Sequence, residues 1–171
     1  MGKIFNILIF LALTALASGQ TALSYDDAQY YQIDIQKLDG TYKTAISRDS
    51  TKAAFAGRET EFRTAYRQML GDLGVYLSKN NFFWERETKF FNRVYFNEKG
   101  GIDYYIYSFT KEDVSPEKEN DFKRLMNQFI KNYRFSITCN CKFVEYSPVT
   151  FLQNSDANPP GKSTPQKAIK K

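Results

Sequence analysis

The clearest hydrophobic pattern in the chain lies between residues 115 and 133. Ser115 is a favourable N-cap residue, and Pro116 is favourable at the first helical position. Behind them, apolar side chains recur at three- and four-residue steps, the period of one helix face: Phe122, Leu125, Met126, Phe129, Ile130 and Tyr133. The pattern predicts an amphipathic helix that begins at Ser115 and Pro116.

A similar period appears earlier, between residues 59 and 77. Gly71 and Gly74 lie inside this stretch, and each costs about 1 kcal/mol relative to alanine within a helix. We therefore expect a helix that bends or ends near the glycines, with Asn80 and Asn81 as a stop signal. Its apolar face would contain Phe62, Tyr66, Met69, Leu73 and either Tyr76 or Leu77.

Three further stretches are typical of β-strands. Residues 90–96 and 102–109 are rich in aromatic and β-branched side chains, and the turn between them contains Gly100 and Gly101. The last stretch, residues 142–152, includes Pro148, which has no N–H to donate. Such a residue is tolerated at the edge of a sheet or at a bulge, so we expect this strand at an edge.

The N-terminal part of the mature chain is harder to interpret. Residues 30–38 and 41–46 alternate in part, and Asp39 and Gly40 between them are typical of a tight turn. This pattern favours an additional hairpin. Taken together, the elements predict an α+β fold in which two helices cover one face of a small antiparallel sheet, in the order helix–strand–strand–helix–strand.

The first residues resemble a secretory signal. Lys3 supplies a positive charge, a short apolar run follows, and Ala17, Ser18 and Gly19 are small. The run is shorter than the roughly 20 residues that a spanning helix needs, although an uncleaved anchor is the alternative. We predict that residues 1–19 are removed and that the protein is periplasmic or secreted. No cysteine near the cleavage zone could carry a lipid.

The opposite end, residues 153–171, has few apolar side chains and a net charge of +3, so we predict a disordered basic tail. Most of the formal charge of +5 therefore comes from this tail. A tail of this kind can touch anionic lipid, nucleic acid or cell-wall polymer, but a solubility role is favoured. We expect no nucleic-acid partner and no membrane-spanning segment after cleavage.

Candidate catalytic and metal-binding residues are few. The chain has no histidine, the commonest general base and metal ligand. Cys139 and Cys141 are too few for a zinc site, but in an exported protein they could form a disulfide if the chain turns there; two unpaired thiols are the alternative. Ser108 and Ser147 lack a base partner. We therefore predict a protein with no catalytic residues, no metal and no cofactor.

Four motifs occur in order along residues 55–152: Tyr76–Asn80 at a helix end, Val94–Ile106 around Gly100, Tyr133–Phe135, and Pro148–Phe151. In this order and spacing they resemble the C-terminal domain of the TonB family of energy transducers. The resemblance covers nearly 100 of the 171 residues. Residues 20–54 would then form a separate N-terminal segment.

The resemblance implies a docking domain whose typical partner is a plug-side segment of an outer-membrane transporter. Two departures qualify this expectation. The family's Tyr-Pro after the first helix is replaced by Phe82-Phe-Trp84. The membrane anchor and long proline-rich linker have no counterpart here, since four of the five prolines follow Ser147. We therefore expect a docking domain without its anchor, for which energy transduction is doubtful.

The predicted binding site is the edge of the last strand, where an extended peptide could add through backbone hydrogen bonds. Its residues are Phe143, Val144, Tyr146, Val149 and Phe151. An alternative is a secreted carbohydrate- or lipid-binding module that uses an aromatic sheet face of Tyr105, Tyr107 and Phe109, unless the N-terminal segment or a partner covers that surface. A third is a structural homodimer in which the last strands pair.

Overall fold

A computed structural model of the chain describes residues 19–110 and 114–152. The predicted signal peptide, apart from Gly19, and the predicted basic tail lie outside these residues. The described part contains four helices and five strands: β1 (Thr21–Ser24), α1 (Tyr25–Tyr30), α2 (Ile35–Thr41), β2 (Lys43–Thr44), α3 (Glu59–Lys79), β3 (Thr88–Phe96), β4 (Ile102–Phe109), α4 (Pro116–Asn132) and β5 (Phe143–Phe151). The α+β class and the order α3–β3–β4–α4–β5 agree with the sequence-based prediction.

The five strands form one sheet in the order β1-β4-β3-β5-β2. β3 lies in the centre and pairs antiparallel with β4 and with β5. The outer strands β1 and β2 both come from the N-terminal segment, and both pair in parallel with their neighbours. The expected small antiparallel sheet is therefore present as β4–β3–β5, and residues 21–44 extend it with a parallel strand at each side.

Helices α3 and α4 cover one face of the sheet, as expected. The core beneath them is largely aromatic: Trp84 is 4% exposed and packs edge-on against Phe82, with ring centroids 4.9 Å apart, and it stacks on Phe151. Helix α3 continues through Gly71 and Gly74. A Cβ at Gly71 would meet nothing within 4 Å, and one at Gly74 would lie at an ordinary contact distance of 3.6 Å from Phe151 Cε1. Neither glycine is therefore required by a close approach, and tertiary packing outweighs their low helix propensity.

The opposite face is covered by α1 and α2, which the hairpin prediction for residues 30–46 missed. Two carboxylates hold this layer to the sheet. Asp39 accepts hydrogen bonds from the hydroxyls of Tyr95 at 2.7 Å and Tyr146 at 2.8 Å, while Asp103 accepts one from Tyr42 at 2.8 Å. The hairpin prediction is therefore wrong, and the N-terminal segment is a second helical layer.

The β3–β4 turn is fixed by the segment that precedes β5. Gly100 has a φ of +75°, and a Cβ there would lie 2.7 Å from the carbonyl oxygen of Phe135. Phe135 N–H in turn donates to the Gly100 carbonyl at 2.8 Å. Just beyond, the chain bends and a disulfide joins Cys139 to Cys141, with Cα atoms 5.2 Å apart. The predicted disulfide is therefore present, and it needs the bend that the sequence argument required.

Candidate functional site: the outer edge of β5

The two edges of the sheet differ in how their outward backbone groups are satisfied. At the β1 edge, the side-chain amide of Asn127 in α4 accepts from the Ala22 N–H at 2.9 Å and donates to the Ala22 carbonyl at 2.8 Å. The Gln20 side chain also donates to the Ile130 carbonyl at 3.0 Å. A side chain thus replaces a neighbouring strand, and α4 closes this edge.

At the other edge, β2 covers only the start of β5. Its two residues pair with Phe143 and Val144, and Ala45 N–H donates to the Val144 carbonyl at 2.8 Å. Beyond Val144, β5 continues to Phe151 while remaining paired with β3 on its inner side. Within residues 19–110 and 114–152, no strand pairs with the outer side of this stretch.

Strand geometry identifies which backbone groups point outward there. In a strand, the N–H and C=O of one residue point to the same side, and successive residues alternate. The carbonyls of Lys142 and Val144 face β2, where they accept hydrogen bonds from Lys43 and Ala45. Tyr146, Pro148 and Thr150 therefore direct their backbone outward, and Phe91 opposite Pro148 forms a pair without hydrogen bonds.

Pro148 reduces the number of backbone N–H donors along this edge. Three outward carbonyls remain, but only Tyr146 and Thr150 retain an N–H. Proline on an exposed edge is one of the features by which natural sheets avoid indiscriminate edge-to-edge pairing. The expectation that Pro148 lies at an edge position is therefore confirmed, and the position of the proline makes the edge selective in register.

The side chains predicted for this site take different positions. Phe143 and Val144 are fully buried and paired on both sides, so neither can receive a new strand. Val149 is 7% exposed and belongs to the core beneath the helices. Phe151 is half-buried and stacks on Phe90, with centroids 5.6 Å apart. Of the five predicted residues, only Tyr146 contributes outward backbone groups to the open stretch.

Tyr146 itself is held in place by its side chain. Its hydroxyl donates to Asp39, and the guanidinium of Arg93 lies 5.3 Å from the centre of its ring. Arg93 also pairs with Asp39 at 3.0 Å. Burial, together with the Asp39 carboxylate, raises the pKa of Tyr146, so its hydroxyl remains a donor at neutral pH. The start of the open edge is thus rigidly supported by α2.

Polar groups also lie on the α3 side of β5. The hydroxyls of Tyr66 and Ser147 are 2.7 Å apart. Nearby, burial raises the pKa of Glu145 to about 7, partly offset by Arg63. Asn92 is fully buried, and its side-chain amide has no hydrogen-bond partner within the described residues. It lies close enough to the Tyr66 hydroxyl to act against the rise in the pKa of Tyr66 that burial causes.

On the opposite face, no helix of residues 19–110 and 114–152 covers the sheet next to the open edge. Phe91 is 41% exposed and lies between Ser108 and Pro148 in register. A shallow cleft of about 310 Å³ follows these residues to Thr150. The helices α1 and α2 cover only the part of this face around Tyr95, Ile106 and Val144, so an apolar surface flanks the open backbone.

The alternative aromatic face is not a surface of this kind. Tyr105 and Tyr107 are 0% and 1% exposed and lie in the core with half-buried Phe109. They face α3 and α4, whereas the N-terminal segment covers the other side of β4. An exposed tyrosine-rich face at these three residues is therefore wrong.

Asn127 and Thr150 were not predicted from the sequence. Asn127 belongs to the polar face of α4, where no local sequence signal distinguishes it from its solvent-exposed neighbours. Thr150 could have been identified from its two-residue spacing to Pro148.

Two other kinds of feature are absent from the described residues. Across residues 19–110 and 114–152 there is no group of three or more acidic or cysteine side chains arranged to hold a metal ion. In the same part of the chain, no helix has the length and apolar character needed to cross a bilayer. No family model, curated protein or solved structure matches the chain.

Proposed function

We propose that this protein is a non-enzymatic binding domain that receives an extended segment of a partner protein along the outer edge of β5, between Tyr146 and Thr150. The observation that carries the proposal is the row of outward backbone groups of β5 beyond Val144. The inner side of β5 is paired with β3 over its whole length. Backbone hydrogen bonds would give affinity, as in other cases of strand addition.

The support beneath this edge favours such a role. Tyr146 is fixed by Asp39, and Ser147 is fixed by Tyr66. An edge that is already ordered loses little conformational freedom when a partner binds. The exposed Phe91 surface lies beside Pro148 on the same face, so a large apolar side chain of the incoming strand could pack across it.

The partner class is proposed from the sequence resemblance. If the similarity to the TonB C-terminal domain extends to function, the incoming strand is a segment of an outer-membrane transporter, and the protein acts in the cell envelope after removal of its signal. Both points are part of the proposal. The unpaired edge itself favours only an extended peptide.

Pro148 disfavours the homodimer in which two copies of β5 pair symmetrically about this residue. A two-fold antiparallel pairing of β5 with itself that aligns Tyr146 with Thr150 brings Pro148 opposite Pro148. Neither proline has an N–H, so two carbonyls face each other without a donor. A different partner strand can present its own N–H to Pro148, so heterologous pairing fits this register better than the symmetric homodimer does.

The test uses a displayed library of random peptides selected on the folded protein, with Thr150→Pro and Thr150→Ala as a matched pair. Thr150 is exposed, so both variants should fold. Proline removes an outward N–H of the edge, whereas alanine keeps it. We expect selected peptides to bind Thr150→Pro at least about tenfold more weakly and Thr150→Ala within about twofold.

Amide hydrogen exchange locates the contact. Bound peptide should slow exchange at Tyr146 and Thr150, whose amides are otherwise open to solvent. Equal binding by wild type and Thr150→Pro, or protection confined to another surface, would overturn the proposal. Equal losses in both variants would also contradict it, since they would show that the threonine side chain, and not the backbone, is recognised.

A further inference from the structure

A second feature lies far from β5, where β1 turns into α1. A cleft of about 320 Å³ is enclosed by the start of α1, the end of β4 and the start of α4. A smaller cavity of about 200 Å³ adjoins it and shares Tyr107 and Glu119 as lining residues. Sequence patterns gave no indication of this cleft, because its walls come from three separate parts of the chain.

The cleft combines acidic and aromatic groups. Asp26 and Glu119 line it, and Asp27 lines the adjoining cavity. Lys123 is the basic side chain among the described lining residues, and its ammonium already pairs with Asp27 at 2.9 Å. Three carboxylates and one ammonium group therefore stand among the described lining residues.

Glu119 is the carboxylate best suited to receive a ligand. It lies half-buried in the first turn of α4, where its backbone N–H donates to the Ser115 carbonyl, but within the described residues its carboxylate forms no hydrogen bond or ion pair. Its pKa is raised, first by burial and then by Asp27 and Asp26 of α1, with Lys123 acting in the opposite direction. A cation beside this group would relieve both the burial cost and the repulsion.

Tyr107 supplies an independent sign of a ligand. Its ring is 1% exposed, and its hydroxyl has no hydrogen-bond partner within the described residues. The hydroxyl lies close enough to Glu119 and Asp27 for both carboxylates to raise its pKa, after burial, which is the larger cause. A buried polar group without a partner is uncommon, and such groups are usually satisfied by something bound.

We propose that this cleft binds a primary ammonium group, with the carboxylate of Glu119 as its counter-ion and the rings of Tyr25 and Phe109 beside its alkyl chain. Aromatic faces attract organic cations, and a carboxylate at the end of the cleft gives the charge-assisted hydrogen bond.

The experiment titrates the full chain with n-butylammonium, using 1-butanol as a neutral probe of similar size, and follows amide chemical shifts by NMR. We expect shifts centred on Tyr107 and Glu119, and at least about tenfold weaker binding of 1-butanol. The carboxyl resonance of Glu119 should titrate at lower pH when n-butylammonium is bound, because the cation stabilises the ionised form.

Variants test the residues. Glu119→Gln should weaken n-butylammonium binding about tenfold, while Glu117→Gln should leave it within about twofold. Glu117 is exposed in the same helical turn and does not line the cleft, so it controls for net charge. Equal loss in the two variants, no loss in a folded Glu119→Gln protein, or equal binding of 1-butanol would overturn the proposal.

Two further probes distinguish the source of the ammonium group. Spermidine represents a free polyamine, and an N-acetylated Gly-Lys-Gly amide represents a lysine side chain. If either probe binds more tightly than 1-butanol and loses affinity in Glu119→Gln, the result supports the proposal, and the tighter of the two identifies the source. If neither binds more tightly than 1-butanol, the cleft is not an ammonium site. These outcomes are independent of peptide binding at β5, which uses the opposite edge of the sheet.

Discussion

At one edge of the sheet, the outward backbone groups of β1 form hydrogen bonds with the side chain of Asn127. At the other edge, β2 ends after two residues, and the rest of β5 has no strand on its outer side among the described residues. Both edges contain outward backbone groups of similar geometry. The closed edge is protected by a hydrogen-bonded amide, and the open edge by a proline. The first solution adds stability, whereas the second only limits which strands can pair.

The largest expected effect comes from placing proline at each edge. In Ala22→Pro the N–H that donates to Asn127 is lost from a residue that is 2% exposed, so we expect the free energy of unfolding to fall by about 3 kcal/mol or more. Thr150→Pro should change it by less than about 0.5 kcal/mol. Urea denaturation of both variants measures the difference, and similar losses would mean that the two edges do not differ.

A smaller effect is expected from removing the amide that closes the β1 edge. Asn127→Ala leaves the N–H and C=O of Ala22 without their partner, which should cost about 2 kcal/mol of unfolding free energy. Asn120→Ala, at an exposed position of the same helix, is the control and should be nearly neutral. Light scattering adds a second readout, since an opened edge should promote self-association; an unchanged stability would contradict the role given to Asn127.

The smallest effect concerns pH at the open edge. Because burial raises the folded-state pKa of Glu145 from 4.5 to about 7, the unfolded chain releases this proton first as the pH rises. Its contribution to stability is therefore complete below about pH 4.5 and is lost as the pH rises to about 7.

Glu145→Gln should remove this component. The unfolding free energy of the wild type relative to the variant should fall by about 1–2 kcal/mol between pH 4.5 and 7.5, an amount reduced by partial solvent exposure. Chemical denaturation of both proteins at several pH values measures the difference. Parallel pH profiles would show that Glu145 ionises equally well in the folded and unfolded states.

The elements with strong local patterns were predicted well. The Ser115 cap and the apolar stripe behind it located α4, and the aromatic residues around the Gly100 turn located β3 and β4. These features depend on neighbouring residues, so a single sequence is sufficient to identify them.

The N-terminal segment could not be read in the same way. Ser24 and Asp34 cap α1 and α2, but both helices are short. In addition, apolar and polar residues alternate in part along residues 30–38, which is the pattern typical of a strand. Their position depends on contacts with distant residues, such as Asp39 with Tyr146. The parallel pairing of β1 and β2 likewise has no local signal, because it follows from tertiary packing.

The candidate site was predicted in outline and not in detail. Pro148 correctly indicated an edge position. The choice of Phe143, Val144 and Val149 was wrong, because β2 and the core occupy them. Which side of β5 is open depends on where β2 ends, and this cannot be derived from the pattern of residues 142–152.

The parallel pairing of the outer strands has a consequence for synthesis. β1 and β2 leave the ribosome first, yet their neighbours β4 and β5 follow only after α3 and β3. The hydrogen bond between Asp39 and Tyr146 likewise forms only after β5 has been synthesised. A chain that stops before Phe143 has no strand beside β2, and α2 then lacks one of its main attachments. Incomplete chains should therefore expose the underside of the N-terminal layer, which would make them recognisable to proteases and chaperones.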